Sequence, residues 1–316
     1  MALTLSALQI RYASMSAVEG YRAAVPRLFG AHLSIAGGMH RALERARALG
    51  CRSLQVFVKN QRQWRTSALR KDDLRRWYEL LEGFGPVVAH AGYLINIASP
   101  QGRLWRRSIK ALGEELQRCA VLQISYLILH PGSATGSRPD HALKRAAAAL
   151  NEVLDKARGL PVALLLESTA GQGSALGSTF DELGALIAEL EQPQRAGICL
   201  DTCHLFAAGY DLRREAGYAA MLEAADEAFG LWRVCCWHLN DSRGELGSRR
   251  DRHEHIGRGR IGVAGFRNIL LDSRFAEVPM ILETPKGTGP GGVDWDRINL
   301  RRLRRIASPH GRAQRS

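Results

Sequence analysis

The chain has 316 residues, 46% of them hydrophobic, enough for one large domain or two ordinary ones around a sizeable core. No apolar run approaches the roughly 20 residues of a membrane helix, so no membrane partner is expected. Lys and Arg number 44 against 31 Asp and Glu, and a net charge of +13 by itself favours a polyanionic partner such as nucleic acid, or a membrane surface, although an arginine-rich proteome gives the same balance. The six cysteines are scattered without a CxxC pair, which fits a reduced, intracellular, cytoplasmic protein better than a disulfide framework.

Residues 1–27 lack the basic start of a secretory signal and read as a flexible extension. Short apolar runs then follow at 28–34, 53–58, 86–91, 126–131, 163–168, 196–201, 234–240 and 278–283. Between them, helical spacing appears at 38–49, 71–82, 102–121, 139–158, 179–191, 214–229 and 262–272, and a last helix is expected at 294–306 with Asp294 as N-cap. Continuous apolar runs alternating with helices predict a parallel sheet covered on both faces. Eight such units predict an α/β fold, a single-domain (β/α)8 TIM barrel over 28–307, followed by a basic tail at 308–316. A doubly wound open sheet is the alternative, but no GxGxxG follows the first strand.

Polar residues recur at the strand ends: His32, His90, His130, Glu167, Asp201, His238 and Glu283, with Lys59 and Asn60 after the second strand. In a parallel barrel these ends converge on one mouth. Seven imidazoles and carboxylates there are costly to bury without partners, and metal ions are the economical common partner. His204 lies just past Asp201, where a loop is expected, and Asp251 and His253 lie on a later Gly- and Arg-rich loop; together they supply a further site above the mouth. The segment 59–65, with Arg62 and Trp64, interleaves basic, amide and aromatic groups, and Tyr93 and Leu94 fall on the loop after the third strand. Exposed Tyr and Leu beside basic groups suit wedging between bases, while fastening the loops to the barrel is the plainer role.

At these residues the chain resembles the endonuclease IV family of abasic-site (AP) endonucleases. The resemblance spans about Phe29 to Ile306 and rests on GAHLSIAGG, KNQRQW, HAGYLIN, LHPGS, LESTAGQGS, DTCHLFAAGYD, HLNDS, DRHEHIG and ILET. It implies three Zn²⁺: the first held by His90, His130 and Glu167, the second by Glu167, Asp201, His238 and Glu283, the third by His204, Asp251 and His253. Glu167 and Glu283 are the implied catalytic carboxylates, and Arg62, Tyr93 and Leu94 the implied DNA probes. The implied reaction is hydrolysis 5′ to an abasic site in duplex DNA, leaving a 3′-hydroxyl and a 5′-deoxyribose phosphate, with 3′-end cleaning beside it. A monomer, associated with the nucleoid through DNA, is expected. The chain departs from the family at Arg258, where a Glu is usual, and Arg260 adds a second charge. A metal-dependent sugar isomerase or epimerase on the same barrel is the rival reading, against which Asp251-x-His253 and the KNQRQW and YLIN loops argue; a non-catalytic DNA-binding barrel is a third, against which the nine intact ligands argue.

Overall fold

Strand β1 (Leu28–His32) opens a closed ring of eight parallel strands: β2 (Ser53–Phe57), β3 (Val87–His90), β4 (Tyr126–Leu129), β5 (Ala163–Glu167), β6 (Ala196–Asp201), β7 (Val234–His238) and β8 (Pro279–Leu282). The ring closes where β1 pairs with β8 through Leu28↔Pro279 to Ala31↔Leu282. The fold is the expected single-domain (β/α)8 barrel. The computed structural model describes residues 27–308, and the expected extension and basic tail lie outside them apart from Arg27 and Ser308.

The helices α1 (Met39–Leu49), α2 (Lys71–Leu81), α3 (Gly102–Val121), α4 (Pro139–Lys156), α5 (Phe180–Ala188), α6 (Thr202–Ala208), α7 (Glu215–Phe229), α8 (Gly262–Leu271) and α9 (Trp295–Ala307) follow the strands. Three of them start at a side-chain cap. The Thr179 hydroxyl caps α5 by accepting from the Glu182 amide, and Asp294 caps α9 by accepting from the amides of Asp296 and Arg297.

One element differs from the sequence reading. The residues after Asp201 form helix α6 rather than a loop, because the Asp201 carboxylate accepts the His204 amide at 2.9 Å as an N-cap. Gly209 ends this helix at φ 116°, a backbone angle that side chains disfavour. Asp201 thus starts a helix and also faces the barrel mouth.

The strand period of two links fold to site. A separate buried cluster comprises Val88, Ile128, Leu165, Cys199, Cys236 and Ile281 with their neighbours. Each of these six stands two residues before a strand-end polar group: His90, His130, Glu167, Asp201, His238 and Glu283 respectively. Alternation therefore carries apolar residues and would-be ligands on the same face, one layer apart. The six cysteines are buried and unbridged, and no described helix is long and apolar enough to cross a membrane.

Candidate metal centre

The mouth gathers five imidazoles and four carboxylates. Glu167 is at the centre: its Oε2 lies 2.9 Å from His90 Nε2 and 3.2 Å from His130 Nε2, and its Oε1 lies 3.0 Å from His238 Nδ1. His238 Nδ1 is also 3.2 Å from Glu283 Oε2 and 3.7 Å from Asp201 Oδ2. On the outer side Asp251 lies 3.3 Å from His204 Nε2 and 3.2 Å from His253 Nε2 through separate oxygens. His253 is carried by a two-stranded antiparallel ribbon, in which Ser242 pairs with it and Asp241 with Glu254.

These contacts fall into groups whose donor atoms all lie within 4.8 Å: His90, His130 and Glu167; Glu167, Asp201, His238 and Glu283; and Asp201, His204 and His253. Asp251 joins His253 in a further group with Cys203. The first two groups coincide with the sets that the resemblance implies, while the outer set has Asp201 and Asp251 both within reach. Burial pushes the Cys203 thiol up to about 12, which leaves a protonated, poor ligand beside that pair.

The ring nitrogens supply the test of whether a cation fits. His90 Nδ1 lies 2.8 Å from the Ala91 carbonyl, His204 Nδ1 2.8 Å from the Ser168 carbonyl and His253 Nδ1 3.2 Å from the Glu283 carbonyl. His238 uses Nε2 toward Gln55 Oε1 at 2.8 Å. A carbonyl only accepts, so each of these nitrogens carries a proton, and the opposite nitrogen is left to face the carboxylates, where a proton or a metal cation in its place is favoured. His253 Nε2 is buried and makes no hydrogen bond, despite the carboxylate 3.2 Å away. Zinc holds nitrogen and oxygen ligands at roughly 2.0–2.2 Å tetrahedrally, which spaces neighbouring donors about 3.3 Å apart. The observed separations match, and the donor set of imidazoles and carboxylates suits that ion.

Electrostatics follow from the same packing. Burial opposes ionisation of Glu167 and Glu283, but the surrounding imidazoles outweigh it and hold both carboxyls well below their usual range. Burial likewise opposes a charged ring at His90, His204 and His238, and the adjoining carboxylates outweigh it and raise all three. Asp251 is held down to about 2, burial being overcome by His204 and His253.

A supporting layer escaped the sequence reading. Gln55, inside β2, donates to Glu283 Oε1 at 2.6 Å and accepts from His238. Asn240 donates to Asp201 Oδ2 at 2.6 Å while its own oxygen accepts the Glu283 amide at 2.8 Å. His32 Nδ1, 2.9 Å from Glu283 Oε1, belongs with this layer rather than with the nine. The available signal was a polar residue inside an apolar strand, as Gln55 is in SLQVF.

The two loops expected to probe DNA flank the mouth, where Gln61 and Tyr93 line one cavity with His253 and Glu283. Tyr93 is 65% exposed, the highest value among the large hydrophobic side chains of the described residues, and Leu94 beside it is 36% exposed. The Tyr93 ring meets Phe57 edge-on at 5.3 Å. Arg62 is exposed in a turn closed by its amide to Asn60 Oδ1, and Trp64 is covered by the Arg107 guanidinium at 4.5 Å. Arg258 lies over Trp295 and Arg260 pairs with Glu245, so neither faces a candidate ligand.

Comparison with known proteins agrees with this geometry. Residues 43–306 match the family of xylose isomerase-like TIM barrels. The chain is 46% identical to "Probable endonuclease 4" of Chloroflexus aurantiacus, covering 89% of this chain and 98% of that protein. It is 44% identical to the protein of the same name from Geobacter sulfurreducens, covering 88% and 93%. The crystal structure of endonuclease IV from Thermus thermophilus superposes with a TM-score of 0.77 at 41% identity, covering 89% of this chain and 98% of that one. A D-tagatose 3-epimerase-like protein, at 18% identity and a TM-score of 0.67, shares the fold alone. With its barrel, its mouth of imidazoles and carboxylates and relatives covered nearly end to end, the chain belongs to the endonuclease IV family of AP endonucleases.

Proposed function

We propose that this nuclease hydrolyses the phosphodiester 5′ to an abasic site in duplex DNA, with three zinc ions, leaving a 3′-hydroxyl and a 5′-deoxyribose phosphate. The observation that carries the reading is the arrangement of nine donors, in which four of the five rings donate from one nitrogen to a carbonyl or amide oxygen and turn the other toward the carboxylates. His90, His130 and Glu167 would hold the first ion, Glu167, Asp201, His238 and Glu283 the second, and His204, Asp251 and His253 the third. Bound there, zinc supplies Lewis-acid activation of water and neutralisation of phosphate charge, the two things a phosphodiester needs in order to hydrolyse.

The chain's own residues do the placing. Glu167 bridges the first two groups through its two oxygens, and Gln55 and Asn240 fix the carboxylates of Glu283 and Asp201. Tyr93 and Leu94, exposed beside the mouth, are placed to enter the gap of a missing base, and Arg62 to contact the strand. The same centre would remove blocking groups from 3′ ends. The protein would act as a monomer in the cytoplasm, at the nucleoid. Asp251 and His253 favour this reaction over sugar epimerisation, which has no use for an outer group.

Incision of a duplex carrying one stable abasic analogue, with and without chelator, tests this. The expected result is chelator-sensitive cleavage giving a 3′ end that a polymerase extends. An intact duplex after incubation with zinc-loaded protein would refute it.

A further inference from the structure

The two probing loops share a buried anchor. Lys59, at the start of the loop that carries Arg62, has a side chain only 5% exposed, and its Nζ lies 3.7 Å from Glu115 Oε1, 1% exposed, on α3. Lys59 Nζ also donates to the Trp64 carbonyl at 3.1 Å, closing its own loop. Glu115 accepts the Gly92 amide, 3.1 Å from Oε2 and 3.4 Å from Oε1. Gly92 stands between His90 and Tyr93, and a Cβ there would meet Glu115 Oε1 at 3.3 Å and the Gln61 carbonyl at 3.4 Å. The loops therefore approach closely at Gly92, where a side chain would crowd both the Glu115 carboxylate and the Gln61 carbonyl.

As a source of stability this pair is poor. Desolvating two charges costs about as much as their attraction returns, and an apolar pair of similar volume would hold the core as well. Burial pushes the Glu115 carboxyl up to about 7 even with Lys59 and the Gly92 amide pulling it down. What an apolar pair could not do is bind a carbonyl of one loop and an amide of the other.

We propose that Lys59 and Glu115 are positioning residues that hold the Arg62 loop and the Tyr93–Leu94 loop in fixed register with the His90 strand end, and so set discrimination of abasic from intact duplex. The inference rests on the proposed role of those loops in reading DNA. With the pair intact the probes meet DNA already ordered. Without it, ordering is charged against lesion binding, while the ligands at the strand ends keep their places.

Either single replacement strands a buried charge and destabilises the fold for that reason alone. The test is the double variant K59M/E115L, which removes both charges and keeps the volume. Zinc content should stay near wild type, the melting temperature should fall by only a few degrees as the Gly92 amide loses its acceptor, and incision at saturating abasic duplex should fall by no more than a few-fold. KM for abasic duplex should rise about tenfold while affinity for intact duplex holds. K59M/E115Q, which returns an acceptor to Gly92, should recover part of the loss. A folded K59M/E115L with wild-type KM and selectivity overturns the proposal. If neither variant folds, hydrogen exchange of the wild type decides: the Gly92 amide should exchange as slowly as the barrel strands, and exchange as fast as that of exposed loop amides overturns it. Wild-type incision, measured alongside, separates the two readings, because its absence strikes the parent function and retained selectivity strikes only the pair.

Discussion

Changing His253 to Ala isolates the outer group. The side chain is 18% exposed on the short ribbon and makes one hydrogen bond, to the Glu283 carbonyl at 3.2 Å. Losing one such bond costs about 1 kcal/mol, a shift of a few degrees at most in the melting temperature of a domain this size. Besides that bond its one approach to the inner groups is Nε2 at 3.7 Å from Asp201 Oδ2, so the inner ligands, which the barrel strands carry, should keep their backbone positions. The purified variant should bind about two zincs where the wild type binds about three. Its incision should fall by two to four orders of magnitude, because a metal that stabilises transition-state charge is worth several kcal/mol and each 1.4 kcal/mol is roughly tenfold in rate. Metal analysis and single-turnover incision on one preparation read both numbers. Full activity with two metals would make the outer ion dispensable, and an unchanged metal count would remove His253 from the ligands.

Replacing Tyr93 and Leu94 together with Ala should lower abasic incision while leaving zinc content and melting temperature unchanged, since both side chains are exposed; wild-type incision by the double variant refutes the wedge. Duplex binding should weaken steeply with added salt, as release of counterions by a chain of net charge +13 requires, and affinity flat in salt contradicts it. Asn240→Ala removes donations to Asp201 and from the Glu283 amide at once, and should weaken zinc affinity about 10- to 100-fold in a competition titration, more than it slows the zinc-saturated enzyme. Glu115 gives a pH signature. Its folded pKa of about 7 exceeds the ordinary 4.5, so the folded state binds the extra proton between those values, and its contribution to stability falls as pH rises from about 4.5 to 7. Subtracting the denaturation free energy of K59M/E115Q, which strands no charge, from that of the wild type across pH should give this decline and a plateau above it; a rise refutes it.

Much of the site was legible because strand chemistry is local. An apolar residue two positions before a His, Asp or Glu recurs at Val88, Ile128, Leu165, Cys199, Cys236 and Ile281, and a parallel barrel sends each following polar group to one mouth. The residues after Asp201 were not legible as helix. TCHLFAAG is only two turns long, too short to show a helical period, and its start depends on a carboxylate that also faces the cluster. Gln55 and Asn240 escaped for another reason: an amide in or beside a strand becomes informative only when its two ends are seen to hold different partners.

By itself the sequence determined the barrel, the direction of its strands and the kinds of side chain at each strand end, since period, composition and capping act over a few residues. Tertiary closure decided the rest. Which carboxylate serves two groups, which ring nitrogen holds its proton, and whether Asp201 or Asp251 faces His253 depend on atoms brought within a few ångströms from opposite sides of the ring. Lys59 and Glu115 show the same division. Each alone is an ordinary charged residue, and only the packing of α3 behind two loops buries them together, where water no longer screens one from the other.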